Sequence, residues 1–174
     1  MTTLRGKWAD GIEPRNFKWV LLDQVAISER PGGSGSAHRK VRREEEIIWL
    51  RVNGFTRIVS LLQSPHNLAA YEEGGMPYSH IPLHYGSNGA ASLKVLYSSM
   101  DRLISAGEKI LLHADGVDDR LVGAMGGYLL WSKRLATNIQ VIEVMEKLTK
   151  VHLSSEGRKI IAVASTIGLH DAPG

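Results

Sequence analysis

Residues 109–130 have the sequence KILLHADGVDDRLVGAMGGYLL, and this stretch decides the fold of the chain. The apolar run Lys109 to Leu112 predicts a buried strand, a short polar loop begins at His113, and an apolar helix follows from about Arg120. In such a unit the backbone N–H groups of the loop and the positive end of the helix form a cradle for an anion. Many α/β domains contain such a turn, so the unit indicates a candidate anion site without specifying an activity.

The remainder of the chain alternates between short apolar runs and segments whose apolar residues have helical spacing. Strands are predicted at 17–22, 25–27, 57–62, 78–83 and 109–112. Helices are predicted at 41–52, 65–73, 92–106, 121–135 and 138–151, with a last helix after a cap at Ser154 or Ser155. Ser64-Pro65 is the predicted start of the second helix. This order predicts an α/β domain with a central, mostly parallel sheet of roughly four to five strands flanked by helices.

The chain has the length of one domain. Its 174 residues are enough to bury a core without disulfides. Residues 1–15 lack periodicity and contain glycine and proline, so they predict a loosely ordered lead-in to a single domain over 16–170. The segment SERPGGSGSAHR, residues 28–39, has one Pro, three Gly and three Ser in twelve positions. It predicts a flexible loop within that domain.

The composition limits the classes of function. Hydrophobic residues make up 43% of the chain and charged residues 22%, as in ordinary globular domains. No apolar run approaches the roughly 20 residues of a membrane span, and the N-terminus lacks the apolar stretch of a secretory signal. We therefore expect a cytoplasmic protein without a membrane partner. There is no cysteine, which excludes disulfides, thiolate metal sites and catalysis by a cysteine of this chain.

The net charge of +3 is concentrated locally. A basic cluster runs from His38 to Arg43 and is followed at once by three glutamates, Glu44 to Glu46. This pattern favours a solvated helix start, with a phosphate-binding patch as the alternative. Nucleic-acid binding is not expected, because no reading helix and no interleaved aromatic residues accompany the cluster.

The loop after the 109–112 strand resembles that of the cysteine-dependent protein tyrosine and dual-specificity phosphatases. That family carries His-Cys, five residues, Arg, Ser or Thr, and Gly; here the run is His113-Ala114, five residues, Arg120 and Leu121-Val122-Gly123. Three upstream phrases are similar to the family's opening hairpin, second core strand and strand before the acid loop: NFKWVLLDQVAISERP (16–31), VNGFTRIVSLL (52–62) and YSHIPLHYGS (78–87). The resemblance covers roughly residues 16 to 149 and implies a fold of the dual-specificity type.

The resemblance also implies which residues form the ligand-binding loop. They are Ala114, Asp115, Gly116, Val117, Asp118, Asp119 and Arg120. In the family a cysteine thiolate, its pKa lowered by the helix end and the loop amides, attacks phosphorus. Ala114 stands in that position and has no nucleophilic atom. Leu121 replaces the family's hydroxyl after the arginine, so no catalytic residue is expected in this loop.

The family's general acid is missing from its usual place. The resemblance implies an aspartate between Leu83 and Gly86, where His84 and Tyr85 stand instead. His84 could donate a proton, although an exposed loop histidine is the simpler interpretation. Some bacterial relatives have Lys-Asp-Arg at the end of the loop, with that Asp proposed as the acid. Asp119 occupies the same position here and is the candidate acid.

The loop contains three carboxylates, at Asp115, Asp118 and Asp119. Like charges about 4 Å apart repel by about 4 kcal/mol at an effective dielectric of about 20, so inward-pointing aspartates would oppose a phosphate dianion. We expect Arg120 to pair with one or more of these aspartates. We expect His113 to support the loop by hydrogen bonding and to have no part in catalysis.

These residues predict a pseudophosphatase, a catalytically inactive phosphatase-fold domain that acts as a binding or regulatory module. The expected partner is a protein, phosphorylated or not, and no cofactor or metal is expected. The alternative is an active tyrosine or dual-specificity phosphatase, a hydrolase, represented here by an engineered Cys→Ala change at Ala114. The further changes at Asp115, Asp118 and Leu121 argue against that alternative. A metal site built from His113 and the loop carboxylates is weaker still, because their spacing matches no known metal signature.

Overall fold

A computed structural model of the chain describes residues 9–167. Five strands of this part form one sheet: β1 Lys18–Leu21, β2 Val25–Glu29, β3 Arg57–Ser60, β4 Tyr78–His80 and β5 Ile110–Ala114. Their order across the sheet is β1-β2-β5-β3-β4, and only the β1–β2 pair is antiparallel. The prediction of a mostly parallel sheet is confirmed. Strand β5, which corresponds to the strand predicted at 109–112, lies at the centre of the sheet.

Within residues 9–167, six α-helices cover the sheet. They are α1 Lys40–Val52, α2 Leu68–Glu73, α3 Gly89–Ser105, α4 Asp119–Trp131, α5 Asn138–Thr149 and α6 Ser155–Thr166. Helices α1 and α2 pack on one face, where their apolar residues meet Ala26, Ile58 and Leu111 of the strands. The other four helices cover the opposite face. No helix in the described part of the chain is both long and apolar enough to cross a membrane.

The central strand is apolar throughout because both of its faces are covered. Ile110 and Leu112 lie in the core beneath α3 to α6, whereas Leu111 between them lies in the core beneath α1 and α2. All three side chains are fully buried. Strands buried on both faces of a parallel sheet have continuous apolar sequences, which is why the sequence identified this strand correctly.

The start of helix α2 differs from the prediction. Ser64-Pro65 was the expected beginning, but the helix starts at Leu68 after Asn67, whose φ of 65° places it in the left-handed region. Asparagine tolerates that conformation better than most residues. Its side-chain oxygen accepts a hydrogen bond from Arg43 of α1 at 3.0 Å, so a tertiary contact favours the turn over another helical residue.

The predicted lead-in and loop have attachments that the sequence did not indicate. Residues 1–8 and 168–170 lie outside the described part of the chain. Of the remaining lead-in, the Ile12 amide donates to the Glu45 carbonyl of α1 at 3.1 Å. The segment 28–39 begins as part of β2, and the Gly32 amide donates to the buried Glu46 carboxylate at 2.6 Å. A buried carboxylate on α1 thus holds the backbone at Gly32, and the flexibility of the segment stays a prediction.

Candidate functional site

A cleft of about 430 Å³ opens at the carboxyl ends of β2, β3 and β5. Ligands of open α/β sheets bind at this edge of the sheet. Five of the seven predicted loop residues line the cleft; Val117 packs against the core instead, and Asp119 is not part of the lining. The lining residues are Arg30, Leu61, Leu62, Gln63, Ser64, Leu83, Tyr85, Ala114, Asp115, Gly116, Asp118 and Arg120.

Ala114 is the last residue of β5 and pairs with Glu29 of β2. Its methyl group lies in the cleft wall at the position where the resemblance implies a nucleophile. A β-carbon on Gly116, two residues later, would have no described atom within 4 Å. The geometry thus retains a strand end and a loop around a cavity, while the side chain at its centre is chemically inert.

His113 is turned into the protein and is fully buried. Its Nδ1 lies 3.2 Å from the Ala114 carbonyl, which can only accept, so Nδ1 carries the proton. The Nε2 atom therefore accepts from the hydroxyl of Tyr71 on α2, 3.0 Å away. Burial lowers the pKa of His113 to about 4, and the positive charge of nearby Arg30 acts in the same direction. This neutral ring braces the loop, as expected for a supporting residue.

Arg120 does not pair with the loop aspartates, so that prediction is wrong. Its Nε donates to the Glu156 carboxylate of α6 at 2.9 Å, and a second guanidinium nitrogen lies 3.5 Å from the other carboxylate oxygen. The guanidinium also lies over the ring of Tyr85, 5.1 Å from its centroid. The hydrogen bond to Glu156 raises the pKa of Arg120 above its usual value. The first turn of α6 lies beside the first turn of α4, and its Glu156 supplies the carboxylate that pairs with Arg120.

Two of the aspartates cap helices. Asp118 is the N-cap of α4 and accepts a hydrogen bond from the Leu121 amide at 2.9 Å. Asp119 accepts from the Ser154 amide at 2.9 Å, from the Ser154 hydroxyl and from the Gly157 amide at 3.0 Å. Partial burial favours the neutral acid, but these hydrogen bonds outweigh it and hold the pKa of Asp119 below its usual value. The candidate acid is therefore an ionised cap for α6, directed away from the cleft.

Solved structures similar to this chain include phosphatases. Tk-PTP in its active form matches with a TM-score of 0.66 and 18% identity, over 86% of this chain and 96% of that chain. Kinase associated phosphatase (KAP), with its catalytic cysteine replaced by serine, matches with a TM-score of 0.69 and 18% identity, over 85% and 92%. The core catalytic domain of the PP-IP phosphatase SIW14 from S. cerevisiae, in complex with citrate, matches at 0.62 and 13% identity, over 87% of both chains.

The chain has the protein tyrosine phosphatase fold. No protein-family model and no curated protein matches it by sequence. At these identities the likeness establishes the phosphatase fold alone.

A second arginine lines the cleft of this phosphatase fold, and the sequence analysis missed it. Arg30 follows the carboxyl end of β2, and its side chain is only 14% exposed. Its Nη1 lies 3.7 Å from the carboxylate of Asp115, and its buried Nε has no hydrogen-bond partner among the described residues. A partial signal was available: a strand was predicted at 25–27 in a mostly parallel sheet, and residues that follow the carboxyl end of such a strand lie near the ligand-binding edge.

His84 and Leu121 are the two other departures from the phosphatase pattern. His84 is exposed and does not line the cleft; it borders a neighbouring cavity of about 360 Å³ that shares Tyr85 and Arg120. Leu121 is fully buried in the core. Neither position brings a proton donor to the Ala114 methyl.

The residues considered for a metal site have other partners. His113 is engaged with Tyr71 and the Ala114 carbonyl, and each of the three aspartates has its own separate partner. Across residues 9–167 no group of three histidine or carboxylate side chains is arranged to hold a metal ion.

Proposed function

We propose that this domain uses a phosphatase fold to bind a protein partner without hydrolysing phosphate esters. The observation that carries the proposal is the Ala114 methyl group at the end of β5, in the wall of the cleft. Hydrolysis in this fold requires a nucleophile that forms a bond to phosphorus. The chain contains no cysteine at all, so no other thiolate can replace the missing one.

The surroundings of Ala114 support the loss of catalysis independently. A general acid must carry a proton at the working pH and reach the leaving group. Asp119 fails on both counts, because its pKa is held below the usual value and its carboxylate binds the Ser154 and Gly157 amides. An engineered change of one cysteine would have left an acid and a hydroxyl in place. The chain has Leu121, fully buried, where the hydroxyl is expected.

The cleft retains properties that suit a side chain of another protein. Its apolar wall is formed by Leu61, Leu62 and Leu83, and the exposed ring of Tyr85 lies at its edge beneath Arg120. Pockets with an apolar wall and a few polar groups are typical of ligand sites. A partner's side chain with an apolar stem and a polar end would match this lining, and the end is either phosphorylated or acidic.

The test is an assay of the purified full chain with p-nitrophenyl phosphate and with phosphotyrosine peptides. We expect no hydrolysis above the buffer control, because a methyl group cannot form the phosphoenzyme. Arg120→Ala is the matched control for contamination, since a contaminating phosphatase would be unaffected by it. Turnover by the parent that disappears in Arg120→Ala would overturn the proposal.

A further inference from the structure

Within residues 9–167, Arg30 and Arg43 each have a buried Nε without a hydrogen-bond partner. Arg43 is held through its Nη1 by His38 and Asn67, whereas Arg30 lines the cleft and has a long ion pair with Asp115. A guanidinium is normally fully hydrogen-bonded when it is withdrawn from water, because an unpaired buried donor is strongly unfavourable. The Arg30 side chain is 14% exposed, its buried Nε has no partner among residues 9–167, and its ion pair with Asp115 is 3.7 Å long. We propose that Arg30 is the anion-binding residue of the cleft and that Asp115 stands in for the oxyanion of a partner protein. This inference rests on the proposed binding function and names its ligand.

The contact with Asp115 is weak enough to be exchanged. Charge-assisted hydrogen bonds between guanidinium and carboxylate are about 2.7–2.9 Å long, so a separation of 3.7 Å leaves the pair without one. Asp115 is 67% exposed and is followed by Gly116, whose surroundings are open. An incoming oxyanion can therefore replace this carboxylate while Asp115 moves into water.

The backbone around Arg30 is held in place independently of any ligand. Its carbonyl accepts a hydrogen bond from the Gly33 amide at 2.8 Å, and the adjacent Gly32 amide donates to Glu46 at 2.6 Å. The carboxylate of Glu46 is itself fixed by the Nε of Arg42 at 2.8 Å. Gly32 is required there, because its φ is +89° and a β-carbon would lie 2.7 Å from the His38 ring. This scaffold fixes the backbone beside Arg30, whose side chain lines the cleft, before a partner arrives.

Arg120 is a poorer candidate for the same role, although the phosphatase pattern would favour it. Its guanidinium is committed to Glu156 and to the ring of Tyr85, so binding a ligand would first require the loss of those contacts. The Nε of Arg30 has no such competing hydrogen bond within the described part of the chain. The ligand of the cleft is consequently an oxyanion on an apolar or aromatic stem, with the charged end at Arg30 and the stem against Leu61 and Leu83.

Phenyl phosphate and benzoate are suitable probes, since both carry an oxyanion on an aromatic ring, and benzyl alcohol is the neutral control. Each is titrated into the full chain while the amide resonances of residues 114–120 are followed by NMR. We expect both anions to bind and the alcohol not to.

Arg30→Met should weaken the binding of both anions at least about tenfold, and Arg120→Met less than about threefold. Asp115→Asn should strengthen it. Tighter binding of phenyl phosphate would indicate a phosphorylated side chain; tighter binding of benzoate would indicate an acidic one.

Thermal unfolding distinguishes a binding role from a structural one. Because the buried Nε of Arg30 lacks a partner among the described residues, Arg30→Met should leave the melting temperature unchanged or raise it, while loss of a structural arginine would lower it. If Arg30→Met does not fold, Arg30→Lys keeps the charge but loses the paired N–H groups, and should still weaken binding.

The assignment of Arg30 is overturned if Arg120→Met abolishes binding while Arg30→Met does not. It is also overturned if neither the parent nor Asp115→Asn binds either anion. Release of phenol in the same samples would overturn the proposed function but leave Arg30 as the anion-binding residue.

Discussion

Arg120 and Glu156, 36 residues apart in the chain, form an ion pair with a donor–acceptor distance of 2.9 Å. The pair joins the first turns of α4 and α6. Asp119 makes a second connection beside it, through the amides of Ser154 and Gly157. The end of the loop is thereby tied to the start of α6.

The two connections should contribute unequally to stability. Asp119→Ala removes the acceptor for the Ser154 and Gly157 amides at the start of α6 and should lower the free energy of unfolding by about 1–2 kcal/mol. Arg120→Ala should have the smaller effect, because Arg120 and Glu156 are 48% and 61% exposed and water screens their attraction. Urea unfolding at low and high salt measures both. A larger loss for Arg120→Ala, unaffected by salt, would contradict this ranking.

The crossing of α4 and α6 depends on two glycines. A β-carbon on Gly123 would lie 2.7 Å from the Gly157 carbonyl oxygen and 2.9 Å from its α-carbon. Alanine is favoured over glycine within a helix by about 1 kcal/mol, but a clash with backbone forces the helices apart and overpacking costs about 1–3 kcal/mol. Because the contacts are with backbone atoms that cannot rotate away, the cost should lie in the upper part of that range, about 2–3 kcal/mol, and Gly123→Ala should destabilise the protein by about 1–2 kcal/mol net.

Gly116→Ala is the matched control for that change. A β-carbon at this loop position would have nothing from the described residues within 4 Å, and the change should stay within about 0.5 kcal/mol of the parent. Chemical unfolding of both variants decides the matter. If Gly123→Ala is as stable as the parent, the helices are not in the close contact described above.

The buried His113 should make stability depend on pH. Its pKa in the folded chain is about 4, below the ordinary value of 6.5, so the unfolded chain takes up this proton first. The contribution is therefore complete above pH 6.5 and declines as the pH falls toward 4. With about 1.4 kcal/mol for each pH unit, the loss should reach roughly 3 kcal/mol.

The measurement is the free energy of unfolding of parent and His113→Asn between neutral pH and pH 4.5. We expect His113→Asn to be less stable at neutral pH but to have a flatter dependence over this range. His66→Asn is the control, because His66 is exposed in the folded chain. If the free energy of unfolding changes with pH equally steeply in the parent and in His113→Asn, His113 is not the source of the pH dependence.

Local signals in the sequence were sufficient for the sheet and for most helices. The apolar run at 110–112 identified the central strand because both of its faces are buried. Thr137 and Ser154 cap α5 and α6 through contacts within three residues, and such short spacings are visible in a sequence. The start of α2 was misplaced because the conformation of Asn67 is held by Arg43, 24 residues earlier.

The pairing of charges in the site could not be obtained the same way. The sequence placed Arg120 among three aspartates, and nearness along the chain suggested that they would pair. The actual partner is Glu156, which the packing of α6 on α4 brings into reach. Arg30 was overlooked because it lies in a segment rich in Gly and Ser, whose attachment depends on the buried carboxylate of Glu46. The pairing of Arg120 with Glu156 and the attachment of the Arg30 segment to Glu46 are long-range contacts that composition and spacing do not encode.

The measurement that tests the central claim most directly is the rate of phosphotyrosine-peptide hydrolysis by Ala114→Cys, beside the parent and an active phosphatase of the same fold. This variant restores the nucleophile and leaves the acid position, Leu121 and the aspartates unchanged. Because a general acid contributes about 10²–10⁴-fold to such reactions, we predict a rate at least about 100-fold below that of the active enzyme. Hydrolysis by Ala114→Cys at a rate close to that of the active phosphatase would contradict the claim, because the loop would then lack only its cysteine.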